Sequence, residues 1–139
     1  MTVRPVTYLD STAIVRLVVA EPESPALRAW LAGRRPVVTS AVARVEVARA
    51  CLAVGDFALR RAHEALSRIE AVRLSDELMA MAGRLRPASL GALNSLHLAT
   101  LTVLAHDVPA TLVTYDRGMA AAARDLGVAV AAPGAPPPG

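Results

Sequence analysis

The sequence predicts an α/β fold, a three-layer sandwich in which a central, mostly parallel sheet of four to five strands lies between helices. Short runs rich in β-branched residues alternate with longer amphipathic runs along the chain, which is typical of successive βα units. The 139 residues fit one domain. We therefore expect one domain over residues 1–132, followed by a flexible tail rich in Pro and Gly over residues 133–139.

Five short runs have the composition and length of strands. They are PVTYLD at 5–10, VVTS at 37–40, VRLS at 72–75, TLVTYD at 111–116 and VAVA at 128–131. The amphipathic runs between them predict helices within 11–24, 24–33, 41–55, 56–70, 76–86, 91–106 and 117–127.

The ends of these helices carry recognisable residues. Ser24, followed by Pro25, and Ser75 are predicted to begin helices, because a serine side chain can accept a hydrogen bond from a free amide of the first turn. Glycines favour the left-handed backbone that ends many helices. Four of them stand where helices are predicted to stop: Gly33, Gly55, Gly83 and Gly127.

The composition gives a net charge of +3, and every basic Lys/Arg position is an arginine. Either the chain has a general bias towards Arg, Ala and Val, or its guanidinium groups serve to bind phosphate. A single cysteine, Cys51, cannot form an internal disulfide and favours a reducing compartment. Charges and prolines interrupt the apolar runs, so we expect a soluble, cytoplasmic protein without a membrane span.

Two aspartates follow apolar strands and are candidates for chemistry. Asp10 ends the first predicted strand, and Asp116 ends the strand TLVTY. Sites in open α/β sheets lie at the carboxyl ends of the strands, so both residues are expected at one edge. Each could also be an ordinary helix cap.

Two further polar residues lie in apolar helices that begin near the same edge. Glu46 has Ala43 and Ala50 on its helix face, and Asn94 lies about one turn into the helix GALNSLHLATLTVLA. Three carboxylates brought together repel one another unless a cation offsets the repulsion, and ligation by oxygen alone suits Mg²⁺ or Mn²⁺.

Four phrases in this order resemble the PIN domain, specifically the VapC toxins of bacterial toxin–antitoxin pairs. They are YLDSTAIVRLV, SAVARVEVARA, LGALNSLHLATL and LVTYDRGMAAAARDLGV. The likeness covers the chain from Tyr8 to Val130. It implies a PIN-like sandwich, an endoribonuclease that uses Mg²⁺ or Mn²⁺, an RNA substrate, a cognate antitoxin partner and a homodimer.

The resemblance also implies roles for individual residues. The four metal-binding and catalytic positions of the family fall on Asp10, Glu46, Asn94 and Asp116. The family's hydroxyl positions, which could contact a metal-bound water, fall on Ser11, Thr12 and Thr114, and we consider Arg49 and Arg117 as phosphate contacts. An exposed arginine is nevertheless more often only a solvated charge. His97 is interpreted as a packed, hydrogen-bonded residue and not as a general base.

Position 94 departs from the family pattern, in which an aspartate stands there. An amide is neutral and one of its terminal atoms is a donor, so it adds no charge to a cation site. Either an aspartate was replaced to trap an inactive form, or the chain is naturally impaired. The alternative is a PIN-like module that binds RNA or a protein without cutting.

Two other α/β folds with an aspartate at a strand end are excluded, because the chain lacks residues that they require. A receiver domain needs a lysine to pair with its phosphoryl group, and the chain has none. A phosphatase of the haloacid-dehalogenase type needs a second aspartate two residues after the first, where this chain has Thr12.

Overall fold

The sheet has the five strands that the sequence predicts, and all of them are parallel. A computed structural model describes residues 4–136. The strands are β1 (Val6–Leu9), β2 (Val37–Ser40), β3 (Glu70–Val72), β4 (Ala110–Val113) and β5 (Ala129–Ala131). Their order in the sheet is β3-β2-β1-β4-β5. The predicted α/β fold is therefore confirmed.

Helices cover both faces of this sheet. They are α1 (Ser11–Val18), α2 (Ser24–Leu31), α3 (Ala43–Leu52), α4 (Asp56–Ser67), α5 (Asp76–Arg84), α6 (Ala92–Asp107) and α7 (Arg117–Asp125). Leu9 belongs to a core cluster with buried residues of α1 to α4, whereas its neighbour Tyr8 belongs to a second cluster with residues of α6 and α7. Successive strand residues point to opposite faces, so β1 contributes to both cores.

Some element boundaries differ from the sequence prediction. The third strand lies at Glu70–Val72 and not at 72–75, because these residues pair with Val38–Ser40 of β2. Ser75 caps α5 as predicted, since its side chain accepts the Leu78 amide. Ser24 is the first residue of α2 and not its cap, and its hydroxyl donates to the Arg16 carbonyl oxygen instead.

The predicted glycine stops are correct at two positions. Gly33 and Gly127 follow helices with φ of 78° each, a backbone conformation that glycine adopts most readily. Gly55 directly precedes α4 as its N-cap. Gly83 lies inside α5 and does not end it, because a helix tolerates an isolated glycine at a modest energetic cost.

The strand order determines which chain segments meet at the carboxyl edge. β1 is the central strand, with β2 on one side and β4 on the other. Leu9 pairs with Val113, so the residues after these two positions leave the sheet side by side. The loops after β1, β2 and β4 therefore begin at one edge, as the sequence predicted for Asp10 and Asp116.

Other expectations concern the chain as a whole. Cys51 is a free, buried thiol. No helix within residues 4–136 combines the length and apolarity that crossing a membrane requires. Of the predicted tail, residues 137–139 lie outside the described part of the chain, and within that part the Tyr115 hydroxyl donates to the Pro133 carbonyl oxygen at 2.8 Å. The domain boundary and the flexibility of the tail stay predictions.

Candidate active site

Asp10 caps α1 and also lies at the carboxyl end of β1. Its Oδ1 accepts hydrogen bonds from the Ala13 amide at 3.0 Å and the Thr12 hydroxyl at 2.6 Å, and its Oδ2 accepts from the Thr114 hydroxyl. The residue is only 1% exposed. The capping interpretation and the site interpretation of the sequence are thus compatible, because the cap itself orients the carboxylate.

Burial makes the charge of Asp10 costly. Desolvation raises the pKa of its carboxyl above the ordinary value, although the hydrogen bonds from Thr114, Thr12 and the Ala13 amide act in the opposite direction. The ionised form therefore gains from any positive charge that approaches it.

Asp116 caps α7 in the same way. Its Oδ1 accepts from the Met119 amide at 2.9 Å. The Thr114 hydroxyl, which donates to Asp10, accepts the Asp116 amide at 3.1 Å. Thr114 therefore links the two aspartates through one hydroxyl group.

Asn94 contacts Asp116 directly. Its Nδ2 donates to Oδ2 of Asp116 at 3.2 Å. A carboxylate only accepts hydrogen bonds, so the NH₂ end of the amide is the end that faces it. An aspartate at position 94 would instead place two carboxylates against each other, and a cation would be needed to offset their repulsion.

Glu46 reaches the same region from α3. Its Oε2 accepts from the Ser11 hydroxyl at 3.0 Å, and its Oε1 is 2.6 Å from Nε2 of His97. Ser11 directly follows Asp10, so Glu46 is tied to the chain segment that carries Asp10. The Glu46 side chain is 14% exposed.

The remaining predicted residues lie around this network. Thr12 donates to Asp10 and accepts the Tyr115 amide at 2.9 Å. Arg49 borders a cavity of about 670 Å³ that Ser11, Thr12 and Glu46 also line. Arg117 borders a separate cavity of about 420 Å³ together with Thr114 and Asp116. All the predicted site residues therefore belong to the network or to a cavity beside it.

Sequence reasoning did not identify Tyr8 as part of this network. Its hydroxyl is 2.7 Å from Nδ1 of His97, so a buried chain runs from Tyr8 through His97 to Glu46. His97 is packed and hydrogen-bonded, as expected. The partnership joins residues 89 positions apart, and no local pattern in the sequence indicates it.

The donor atoms suit a hard divalent cation, but their arrangement is incomplete. The available ligands are three carboxylates and one amide oxygen, the types that Mg²⁺ and Mn²⁺ prefer. Within residues 4–136, no group of three or more His, Cys, Asp or Glu side chains is arranged so that it could hold a metal ion. The neutral Asn94 takes the place of a possible fourth acid, and its amide hydrogen already occupies Oδ2 of Asp116.

This contact predicts how stability responds to position 94. In EDTA, Asn94→Asp should lower the melting temperature by several degrees, because a hydrogen bond of about 1 kcal/mol is replaced by repulsion. Millimolar Mg²⁺ or Mn²⁺ should then raise the melting temperature of the variant more than that of the unchanged chain. Thermal denaturation followed by circular dichroism measures both shifts. Equal shifts would show that position 94 does not contact the cation.

Comparison with known proteins identifies the family. Residues 7–125 match the model of the PIN domain. Over 126 residues, which cover 91% of this chain and 96% of the relative, the chain is 47% identical to ribonuclease VapC46 of Mycobacterium tuberculosis.

Solved structures with lower sequence identity share the fold. VapC20 of Mycobacterium tuberculosis, described as a toxin that cleaves the sarcin–ricin loop, has a TM-score of 0.67 at 15% identity, covering 84% of this chain and 94% of that one. VapBC-1 of nontypeable Haemophilus influenzae has a TM-score of 0.64 at 14% identity, covering 91% of this chain and 96% of that one. The family model and the sequence identity to VapC46 together establish that the chain belongs to the PIN-domain family, among the VapC ribonucleases.

Proposed function

We propose that the protein is an endoribonuclease toxin of a toxin–antitoxin pair, and that it hydrolyses RNA with Mg²⁺ or Mn²⁺ held by its acidic cluster. The observation that carries this proposal is the hydrogen-bonded network at the carboxyl edge of the sheet. Asp10, Asp116 and Asn94 are joined through Thr114 and direct contact, and Glu46 is joined to the same edge through Ser11.

The cation would be held by the carboxylates of Asp10, Glu46 and Asp116 and by the side chain at position 94. When bound, it would lower the pKa of a water molecule and offset the negative charge of a scissile phosphate. Relatives named as ribonucleases support this activity, and the oxygen-only donor set supports the class of metal.

The protein's own residues would orient the carboxylates and the RNA. Thr12 and Thr114 hold the two oxygens of Asp10, and Ser11 holds one oxygen of Glu46. Arg49 and Arg117 border the two cavities beside the network. Their guanidinium groups would bind the phosphates that flank the cleaved bond. The net charge of +3 favours the same anionic substrate.

We propose that the form with Asn94 is impaired. Its amide donates to Asp116 and supplies no charge, so two of the ligand positions are satisfied by each other and not by a cation. A carboxylate at position 94 would remove that hydrogen bond. It would also repel the carboxylate of Asp116, and a bound cation would offset this repulsion.

An antitoxin is the expected protein partner. A cavity beside Glu46 is lined by apolar residues of α1, α3 and α6. Two of them, Val45 and Leu93, are 63% and 47% exposed. Together with α1 and α2, the helices within 11–33, this surface would accept an apolar segment of an antitoxin. The homodimer remains an expectation from the family.

One observation favours a second candidate function, a PIN-like module that binds RNA or protein without cutting. Asn94 and Asp116 are hydrogen-bonded to each other, and within residues 4–136 no three acids are already arranged around a common point as metal ligands. Such a module would keep the arginine-lined cavities and bind RNA in EDTA as well as in Mg²⁺.

RNA cleavage by this chain and by Asn94→Asp, measured side by side, tests the proposal. The assay uses RNAs of varied sequence and structure with Mn²⁺ or Mg²⁺, and EDTA as the metal-free control. We expect the Asp variant to cleave at least about a hundredfold faster. The matched control is Asn94→Ala, which removes the amide without adding a charge and should stay inactive. Inactivity of every folded variant would favour the non-cleaving module.

A further inference from the structure

The four ligand positions differ in how their side chains are held in place. Asp10 and Asp116 are short side chains, and each is fixed by a backbone amide at the start of its own helix. Glu46 is the fourth residue of α3, and within the described residues its carboxylate receives no backbone amide. A glutamate also has more rotatable bonds to order than an aspartate. Its position must therefore come from contacts with other side chains.

His97 provides the shortest of these contacts. Its Nε2 is 2.6 Å from Oε1 of Glu46, and its Nδ1 is 2.7 Å from the hydroxyl of Tyr8. His97 is 1% exposed and Tyr8 is fully buried. The two rings meet edge to face, with an angle of 83° and centroids 5.8 Å apart, so the imidazole is held by packing as well as by hydrogen bonds.

The tautomer of His97 sets the direction of both hydrogen bonds. An ionised carboxylate only accepts, so Nε2 of His97 carries a proton and donates it to Glu46. In the neutral imidazole Nδ1 is then an acceptor, and Tyr8 donates to it.

We propose that Tyr8 and His97 form a positioning relay that fixes the carboxylate of Glu46 as a cation ligand. The inference rests on the proposed function, because it assigns Glu46 to the metal. His97 holds Oε1, and Ser11 holds Oε2 from the neighbouring segment. Each carboxylate oxygen has a second lone pair, so these contacts orient the group and leave it able to coordinate. Neither Tyr8 nor His97 transfers a proton to substrate in this scheme.

Mn²⁺ affinity tests the relay independently of RNA cleavage. In an Asn94→Asp background, titration calorimetry should show that His97→Leu weakens Mn²⁺ binding by about 10- to 100-fold, the usual effect of losing a partner of a ligand. His97→Gln keeps an N–H donor that can reach Glu46, and should recover part of the loss. Tyr8→Phe keeps the ring and removes only the hydroxyl, and we expect a loss of about fivefold to tenfold.

The matched control is His106→Leu, since the His106 side chain is 86% exposed and lies in the last turn of α6, whereas Asn94 lies in the first turn. It should leave Mn²⁺ affinity unchanged. Thermal unfolding identifies any variant that fails to fold. If His97→Leu fails to fold, Tyr8→Phe becomes the decisive variant. Folded Tyr8→Phe and His97→Gln proteins that both bind Mn²⁺ as tightly as their parent would overturn the relay.

A second readout separates the relay from the proposed function. Nitrogen NMR of the His97 ring should show the Nε2–H tautomer in the parent, and a mixture of tautomers in Tyr8→Phe. If the parent binds Mn²⁺ but cleaves no RNA, the proposed nuclease function fails while the relay stands. If the parent shows the Nδ1–H tautomer, the relay fails whatever the enzyme activity.

Discussion

Glu46→Gln in an Asn94→Asp background is expected to reduce metal-dependent RNA cleavage about a thousandfold, equivalent to roughly 4 kcal/mol of transition-state stabilisation. Glutamine keeps the length of the side chain. Its carbonyl oxygen can accept from His97, and its NH₂ group can donate to the Ser11 hydroxyl oxygen, so both residues retain a partner. The substitution removes the negative charge that the cation needs. The effect should therefore appear in turnover and in Mn²⁺ affinity, while unfolding remains cooperative.

The matched control for this change is Glu64→Gln. Glu64 is an exposed residue of α4, and the same loss of one charge there should leave cleavage and Mn²⁺ affinity unaltered. Initial rates at several Mn²⁺ concentrations distinguish a lost ligand from a general electrostatic effect. Full activity of the folded Glu46→Gln variant would remove Glu46 from the set of ligands.

Asp10→Ala is expected to destabilise the protein by about 3 kcal/mol, which corresponds to a fall in melting temperature of roughly 10 °C. Alanine removes the cap of α1 and leaves the hydroxyls of Thr12 and Thr114 without their acceptor. Thr114 is buried, so water cannot easily replace the lost partner. In an Asn94→Asp background, the same change should abolish RNA cleavage.

Asp10→Asn separates the structural role of this residue from its charge. Asparagine can still cap the helix through its carbonyl oxygen, so in EDTA its stability should stay within about 1 kcal/mol of the parent. Cleavage in an Asn94→Asp background should nevertheless be lost, because the amide contributes no charge to the cation. A stable variant that still cleaved RNA would contradict the assignment of Asp10.

The pH dependence of stability in Asp10→Asn and in its parent follows from the direction of the Asp10 pKa shift. Burial raises the pKa of Asp10 in the folded state, so the folded protein binds this proton more tightly than the unfolded chain does. The stability contribution of Asp10 therefore improves as pH falls from neutral through the raised pKa. In EDTA, the difference between the melting temperature of Asp10→Asn and that of its parent should favour the variant most at neutral pH. The difference should become smaller in acid. A difference that grew on acidification would contradict this assignment.

Local patterns in the sequence were sufficient for the fold. Alternating β-branched and amphipathic runs predicted five strands and the helices between them, because burial on the two faces of a parallel sheet imposes that pattern. The third strand was misplaced by two residues at its start. Its short segment, Glu70–Val72, contains one β-branched residue, and its position depends on pairing with β2. Such pairing is a tertiary property.

The sequence also identified the residues of the candidate site but not the contacts between them. Strand ends predicted Asp10 and Asp116, and places in apolar helices near the same edge singled out Glu46 and Asn94. The resemblance to VapC toxins then implied metal-binding roles for all four positions. The hydrogen bond of Asn94 to Asp116 and the bridging hydroxyl of Thr114 appear only in the structure. Each depends on side-chain orientation across different elements, which residue type and spacing do not specify.

By itself, the sequence determined the fold class, the family and the presence of asparagine in place of aspartate at position 94. Local periodicity indicates the fold class, and the ordered motifs indicate the family and the substituted position. The tertiary structure decided that Asn94 and Asp116 satisfy each other and that Glu46 is held by His97 and Tyr8. Tyr8 and His97 come from β1 and α6, 89 residues apart. Their contact exists only because the central strand packs against that helix, so it depends on the packing of the whole domain.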